Sequence, residues 1–258
     1  MTERNQDKPH LSYSQINTYL SCPLKYKFHY IDRIEPPFVS AALAFGSCIH
    51  EAVGAFHQSC LEGDPLTASQ LSDVYRQAWM SHAEERSIRF SNGDDAESLT
   101  SKAKLMLEAY HEAYDPTVRI IGIEEPFEVD LGKRIPPLVG WIDTIESSPD
   151  GIVSIVDLKT AARRYSDQTV QSNLQLTCYS LGAQALGFNG ETRFRLDVLL
   201  KTRNPELVKY EVAPTDEDRK RFLKLLKSVW RAIKHRDFYP QQGWMCSQCS
   251  YADTCRDW

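Results

Sequence analysis

The 258-residue sequence has no apolar run approaching the roughly 18–20 residues needed to cross a bilayer, so no membrane span is expected. It also has no G-x4-G-K-[ST] phosphate loop, so the chain cannot itself be a nucleotide-driven motor. Internal repeats and extended low-complexity segments are absent too. No apolar segment of signal-peptide length is found near Met1, from which we expect a cytoplasmic location. With 42% hydrophobic residues, the chain can bury one substantial core.

Two short apolar segments rich in β-branched residues are predicted to form a β-hairpin. They are Leu138–Ile145 (LVGWIDTI) and Ile152–Thr160 (IVSIVDLKT), and the turn residues Ser147–Gly151 lie between them. Side chains two residues apart on a strand face the same side. Asp157 and Lys159 should therefore project together, and Asp143 should reach them from the partner strand.

Two carboxylates beside one ammonium are costly to bury unless a cation lies between the acids and the lysine has an anionic partner. Mg²⁺ or Mn²⁺ and a phosphate would supply both, so Asp143, Asp157 and Lys159 suit metal-assisted phosphodiester cleavage. D-x-K alone is a common pattern. The alternative to a catalytic site is an exposed Asp–Lys pair on a hairpin.

Two helical segments supply the context that favours the catalytic interpretation. Gly46 and His50 (G-x3-H) begin an apolar-periodic segment upstream, and Gln175 and Tyr179 (Q-x3-Y) lie on one face of a downstream helix. Tyr179 has a packing role as its alternative. The remaining helical histidines are expected to be structural: His57, His82 and His111.

The motifs G-x3-H, G-x2-D, D-x-K and Q-x3-Y occur here in the order that resembles the RecB-like branch of the PD-(D/E)xK nucleases. The resemblance implies that the metal ligands are His50, Asp143, Asp157 and the backbone carbonyl of Leu158. It further implies that Lys159 positions or activates the attacking water. Gln175 and Tyr179 would orient DNA and support the lysine.

Four of the seven cysteines lie near the two ends of the chain. They are Cys22 and the triplet Cys246-x2-Cys249-x5-Cys255. A shared metal centre would close more than 200 residues into one loop and tie down both ends. Disulfides are a poor explanation in a reducing compartment, and four thiols serve zinc and iron–sulfur centres alike. The others fall in apolar helical stretches and are expected to pack as small hydrophobes: Cys48, Cys60 and Cys178.

The spacing of the four terminal cysteines resembles the [4Fe-4S] arrangement of cluster-bearing RecB-like nucleases, with Zn²⁺ as the alternative. Those nucleases include AddB-type domains and the single-domain CRISPR-associated exonucleases. The resemblance implies an exonuclease on single-stranded DNA or DNA ends, with protein partners in CRISPR adaptation or DNA repair. The alternative from another class is a non-catalytic, metal-stapled DNA-binding scaffold subunit.

A net charge of −5 leaves DNA binding to local charge. The predicted helix Asp216–Asp237 has an apolar stripe and many basic residues, which can equally be a solvated face. Four basic residues after the ends of predicted strands are the better candidates for DNA-backbone contacts: Arg163, Arg164, Lys201 and Arg203.

The predicted element order is typical of an α/β restriction-endonuclease-like core with a mixed sheet. The predicted helices are Ser12–Tyr30 (interrupted near Pro23), a helical region Ala44–Tyr114, Asp167–Leu186 and Asp216–Asp237. The other strands are Arg119–Leu131, Arg193–Leu200 and Leu207–Val212. The interpretation is one nuclease domain, 1–258. It has a nuclease core at 119–212, a helical subdomain at 44–118 inserted beside the cleft, and an iron–sulfur-stapled terminal region at 1–43 and 213–258. Met1–Pro9 is polar and expected to be disordered.

Overall fold

A five-stranded mixed sheet forms the centre of the computed structural model, which describes residues 9–91 and 93–258. The strands are β3 (Arg119–Val129), β4 (Leu138–Ser147), β5 (Val153–Ala161), β6 (Thr192–Leu200) and β7 (Leu207–Val212), and they lie in that order across the sheet. Only β5 and β6 run parallel, and the chain between them passes through α6 (Asp167–Gln171) and α7 (Leu174–Ala185). The predicted mixed α/β sheet is confirmed.

Helices precede and follow the sheet. They are α1 (Tyr13–Ser21), α2 (Pro23–Tyr26) with a π-helical turn (Lys27–Ile31), α3 (Ala41–Glu62), α4 (Ala68–Glu85), α5 (Ala96–Ala113), α8 (Asp216–Lys234), a 3₁₀ turn (Trp244–Gln248) and α9 (Ala252–Arg256). Capping boxes begin α4, α5 and α8. No helix in the described part of the chain is both long and apolar enough for a bilayer.

The predicted helix Asp167–Leu186 and the predicted helical region Ala44–Tyr114 differ in detail from the structure. The predicted helix Asp167–Leu186 is split, because the Asn173 side chain accepts a hydrogen bond from the Leu176 N–H at 2.8 Å and so begins a new helix. Within the predicted helical region, β2 (Ile88–Arg89) pairs in parallel with β1 (Val39–Ser40). The division of the chain into 1–43, 44–118, 119–212 and 213–258 stays a prediction. Disorder was predicted for Met1–Pro9, and of these residues the structure describes only Pro9.

Both faces of the sheet are covered by helices. Alternate residues of β6 explain how, since Leu196 and Val198 join the core formed with α1, α7 and α8, whereas Leu199 joins the core formed with α3, α4 and α5. A third, smaller cluster joins the ends of the chain through Leu24 and Tyr251. The central sheet is thus sandwiched between two helical layers.

The Phe127 ring determines how closely α7 approaches the sheet. It lies between Gly140 on β4 and Gly182 on α7, and a Cβ added to either glycine would come within 2.6 Å of a ring carbon. The ring is 2% exposed and also packs edge-on against Tyr179 at 6.2 Å. By contrast, a Cβ on Gly46 would meet Thr160 at an ordinary 3.5 Å. Close approach to Phe127 therefore requires glycine at position 140, in G-x2-D. Gly46, in G-x3-H, has no such steric requirement.

We expect Gly140→Ala and Gly182→Ala each to lower the free energy of unfolding by about 1–3 kcal/mol, because the new methyl group would overpack a buried ring. Gly54→Ala is the matched control, since nothing lies within 4 Å of its added Cβ in the middle of α3. It should stabilise the chain by about 1 kcal/mol through helix propensity. Urea unfolding measures all three, and a neutral Gly182→Ala would show that Phe127 can move aside.

Candidate active site

The acidic residues lie where β4 and β5 separate. The antiparallel pairing of these strands ends at Thr144–Val156, and the next opposed residues in that register are Asp143 and Asp157. Beyond this point the Leu158 N–H donates to Asp143 Oδ2 at 3.1 Å rather than to a strand carbonyl. The Asp143 side chain therefore takes over the hydrogen bond that the sheet would otherwise provide. The separation of the strands opens the pocket.

Asp157 and Lys159 form a buried ion pair on β5, as the period of two predicts. Lys159 Nζ donates to Asp157 Oδ1 at 2.9 Å and lies 2.8 Å from Oδ2. The second contact is close enough for an ion pair but is not a well-aligned hydrogen bond, so the buried Oδ2 has no hydrogen-bond partner among the described residues. Asp157 is fully buried, whereas 30% of the Lys159 side chain is exposed. The lysine therefore links the buried acid to the pocket opening.

Burial and the neighbouring Asp143 carboxylate raise the pKa of Asp157 to about 7, although Lys159 opposes this shift. Burial lowers the pKa of Lys159, but the two carboxylates outweigh it and the pKa is raised overall. Ionisation of Asp157 is therefore unfavourable, whereas the protonated form of Lys159 is favoured. A further positive charge there would favour the ionised form of both acids.

A short hydrogen-bond relay orients Asp143 from α7. Gln175 Nε2 donates to the Tyr179 hydroxyl at 3.1 Å, and that hydroxyl donates to Asp143 Oδ1 at 2.9 Å. Tyr179 is 4% exposed, and burial followed by the nearby carboxylates keeps its pKa well above the ordinary value, so it stays a donor. Gln175 and Tyr179 act here through Asp143.

His50 approaches the acids from α3. Its Nδ1 lies 3.6 Å from Asp143 Oδ2. Burial lowers its pKa more than Asp143 raises it, which keeps the ring neutral and able to donate a lone pair. A hydrogen bond to the Leu158 backbone raises the pKa, so the ring is the donor and the Leu158 carbonyl is the acceptor. The four groups predicted as metal ligands are therefore close together.

The donor set fits a hard divalent cation in chemical type, with two carboxylates, one carbonyl and one imidazole. Asp157 Oδ2, buried without a hydrogen bond, is the observation that supports this fit. As they stand, however, the described residues contain no group of three or more His, Cys, Asp or Glu arranged to hold a metal ion. In this arrangement Lys159 bonds Asp157, and Tyr179 and the Leu158 N–H bond Asp143.

Two residues at this site were missed by the sequence analysis. Tyr13 at the start of α1 is close enough to Lys159 and Asp157 for their charges to affect its pKa, which burial raises. Glu124 on β3 lies opposite Asp143 in the register, has a left-handed φ of 46°, and its charge reaches His50. A glutamate with positive φ inside a strand has no sequence signal, and a tyrosine after a helix cap has none either.

The four basic residues proposed for DNA contacts have different surroundings. Arg164 forms an exposed ion pair with Glu206 at 2.6 Å, and the Lys201 ammonium lies 5.1 Å from the centre of the Phe45 ring. Arg163 and Arg203 are exposed. Their role in DNA binding stays a prediction.

The terminal cysteines gather around Tyr251. Cys22, Cys249 and Cys255 pack against its cluster, and Cys246 is exposed beside it. Burial and then the charges of the other three thiols raise the pKa of Cys255, so each of the three lies within electrostatic range of Cys255. They are free thiols and are not arranged as metal ligands within the described residues. Cys48 and Cys178 are buried as small hydrophobes, and Cys60 is half-buried.

His57 anchors α3 behind the site and has the structural position expected of it. Its Nε2 shares a hydrogen bond with the Tyr110 hydroxyl at 2.8 Å, and its Nδ1 shares one with Thr144 Oγ1 at 3.1 Å. Thr144 follows Asp143 directly, so this bridge also fixes the position of α3 relative to the acid. Burial and then the charge of Arg195 lower the pKa of His57 to about 4.

Comparison with known proteins gives a family match and a number of similar solved structures, two of which follow. The model of the PD-(D/E)XK nuclease superfamily matches residues 10–256. A "Putative exonuclease" from Eubacterium rectale has a TM-score of 0.58 at 14% identity, and the match covers 100% of this chain and 92% of that one. The structure of SSO0001 has a TM-score of 0.40 at 13% identity, with 95% of each chain covered. The search of curated proteins gave no match.

We expect His57 to make the fold less stable in acid. A histidine whose pKa falls from 6.5 to about 4 on folding contributes stability that is fully present above 6.5 and is lost as the pH falls towards 4. Between about pH 7.5 and about pH 5 this loss is about 2 kcal/mol. Urea unfolding at both pH values measures it.

His57→Gln should reduce this pH-dependent difference by about 2 kcal/mol, whatever its effect on the absolute stability. The control is His82→Gln, because that histidine is half-exposed on α4. An unchanged pH dependence in His57→Gln would mean that the ring is protonated in the folded chain.

Proposed function

Because the chain belongs to the PD-(D/E)XK nuclease superfamily, we propose that it is a metal-dependent deoxyribonuclease that hydrolyses phosphodiester bonds of single-stranded DNA or DNA ends. One observation carries the proposal. Asp157 is fully buried against Lys159 and opposite Asp143, and one of its oxygens has no hydrogen bond. A purely structural ion pair gains nothing from a second, half-buried carboxylate and from a buried oxygen without a hydrogen bond among the described residues.

Four groups would hold the divalent ion: His50, Asp143, Asp157 and the Leu158 carbonyl. Mg²⁺ or Mn²⁺ bound there stabilises charge on a phosphate oxygen and lowers the pKa of water. The fold contributes by fixing the ligands in advance. Tyr179 and the Leu158 N–H hold Asp143, and the Leu158 carbonyl holds the His50 ring. Fixed ligands need little reorganisation when charge develops in the transition state.

Lys159 is assigned to the attacking water. Its partly exposed side chain places the ammonium beside Asp157, where it would favour hydroxide over water and balance the charge that grows on the pentacoordinate phosphorane. The proton lost by the water leaves to solvent, and no covalent intermediate with the enzyme forms. Gln175 and Tyr179 position Asp143 and touch no reacting atom in this scheme.

The narrower role follows the sequence resemblance and is proposed on that ground. We propose exonuclease action in CRISPR adaptation or DNA repair, with protein partners from those pathways. The proposed location is cytoplasmic.

Lys159→Met and Asp157→Asn should each lower kcat for cleavage of end-labelled oligonucleotides by about 10²-fold or more, because each removes a group that acts on the transition state. Substrates with blocked 5′ or 3′ ends and with one or two strands report polarity and strand choice in the same assay. Chelation with EDTA should abolish cleavage by the parental protein. Lys104→Met and Asp64→Asn remove exposed residues of the same types and should cleave at the parental rate.

Metal binding supplies a readout that does not depend on activity. Mn²⁺ at about 100 times its Kd should stabilise the parental fold by about 2.7 kcal/mol, and Asp157→Asn should lose most of this gain. A parental protein that binds oligonucleotides but cleaves none with Mg²⁺ or Mn²⁺ would instead favour the non-catalytic scaffold.

For the terminal region we propose a [4Fe-4S] cluster held by Cys22, Cys246, Cys249 and Cys255, with Zn²⁺ as the alternative. The proposal is supported by the approach of the other three thiols to Cys255 and by the packing of Cys22, Cys249 and Cys255 on the Tyr251 cluster. The contribution of the metal centre would be structural, since it joins the two ends of the chain.

Cys22→Ser and Cys249→Ser should remove the brown colour of protein purified without oxygen. They should also lower the melting temperature by about 10 °C, because a cross-link across so long a loop contributes about 3–5 kcal/mol. Cys60→Ser is the matched control on α3, and it should keep the colour. A colourless parental protein that contains zinc by elemental analysis would replace the iron–sulfur proposal.

A further inference from the structure

Helix α8 has a strongly asymmetric charge distribution. Its first turn contains Asp216, Glu217 and Asp218, and the ion pairs within the helix lie near this end, from Arg219 to Asp216 and from Arg221 to Glu217. Residues 219–236 contain eight Lys or Arg and no Asp or Glu. Beyond its first turn, α8 is therefore strongly basic along its length, on a chain whose net charge is −5.

This basic surface borders a groove. Lys227, Trp230, Arg231 and Lys234 are spaced at i, i+3, i+4 and i+7, so they share one helix face opposite the β3–β4 loop. Arg134 from that loop and His235 complete the basic lining, and none of the described residues that line the groove is acidic. Its volume of about 420 Å³ is within the roughly 300–1,000 Å³ typical of ligand pockets.

The groove is a fixed feature of the fold. The Trp230 indole N–H donates to the Arg134 carbonyl at 3.3 Å, which ties the loop to the helix, and Trp230 also packs on the core formed with α1 and α7. The basic side chains of Lys227, Arg231 and Lys234 are exposed and form no ion pair with any residue that the structure describes. Compensation of the helix dipole accounts for Arg231 and Lys234 in the last turn, but not for Lys227 or Arg134.

The groove and the candidate active site lie on one side of the sheet. Asp157, Lys159 and Tyr13 are next to the layer formed by α1 and α7, and α8 packs on the same layer. Eight residues of chain separate Ile135 in the groove from Asp143, a distance of at most about 26 Å. At about 3.4 Å per nucleotide along one strand, about eight nucleotides span this distance. One strand can therefore contact both places.

We propose that this groove is a second binding site for the sugar–phosphate backbone of the DNA strand being cleaved, several nucleotides from the scissile bond. The proposal rests on the proposed function, because the occupant is the substrate of that site. Charge complementarity identifies a polyanion, and the fixed, shallow groove fits a backbone better than a compact ligand. The basic residues neutralise phosphates without reading bases, so binding there is independent of sequence.

The test compares two triple variants that remove the same charge from the same helix. The groove variant carries Lys227→Ala, Arg231→Ala and Lys234→Ala. The control variant carries Lys220→Ala, Arg221→Ala and Lys224→Ala, whose residues lie outside the groove lining. Binding of a fluorescent single strand of about 30 nucleotides is measured without divalent metal at several salt concentrations.

The groove variant should bind this strand about 3- to 100-fold more weakly, as expected for three exposed charge contacts. The slope of log K against log salt should become shallower by about 2, since each phosphate contact on a single strand contributes about 0.7. The control variant should retain the parental affinity and slope. Equal losses in both variants, or no loss in the groove variant, would overturn the proposal.

Cleavage separates this proposal from the proposed function. With Mg²⁺ or Mn²⁺, the groove variant should show a raised KM for the long strand and an unchanged kcat. Its KM for a dinucleotide, which contains a single phosphodiester bond and occupies only the cleavage site, should be unchanged. If the parental protein cleaves nothing while strand binding still depends on the groove, the proposed function fails and the groove assignment stands. If polyglutamate displaces the strand as well as unlabelled DNA does, an acidic protein partner replaces DNA as the occupant.

Discussion

The burial of Asp157 next to a second, half-buried carboxylate and one ammonium is the constraint on which the site depends. Asp157 is fully buried and opposite Asp143, so the fold must supply compensating groups from several elements. Lys159 comes from the same strand, the Leu158 N–H from the strand backbone and the Tyr179 hydroxyl from α7. These groups can reach the carboxylates because β4 and β5 separate here. The end of the strand pairing therefore also determines the chemistry of the site.

The packing of uncharged residues away from the carboxylates determines whether these compensating groups are correctly placed. Tyr179 reaches Asp143 because α7 lies close to β4, and α7 lies close because Gly182 and Gly140 leave room for the Phe127 ring between them. On the other face of the sheet, His57 on α3 shares a hydrogen bond with Thr144 on β4, the residue after Asp143. This bond fixes the position of α3, and with it His50, relative to Asp143. The two helical layers thus act on the same carboxylate from opposite sides.

Local sequence patterns predicted the parts of the site that regular geometry determines. Asp157 and Lys159 follow from the period of two, and Gln175 and Tyr179 from the spacing of a helix turn. The missed features depend on contacts between distant segments or on backbone irregularity. Glu124 reaches His50 from a left-handed position inside a strand, the β1–β2 pair joins segments 49 residues apart, and Asn173 divides a helix by a side-chain cap. No periodicity in the sequence records these interactions.

The distribution of charged residues along the chain shows why the net charge of −5 is a poor guide to a nucleic-acid partner. The acids that make the total negative include the half-buried Asp143, the buried Asp157 and the first turn of α8, where Asp216 and Asp218 pair or cap locally. Positive charge without ion-pair partners among the described residues collects on the face of α8 formed by Lys227, Arg231 and Lys234, which borders the groove. A polyanion approaching this surface meets repulsion at the pocket unless a cation is bound there, whereas the groove attracts it in either case. In the proposed function, this segregation of charge would let the strand bind before the metal, and the ion would be required for cleavage rather than for association.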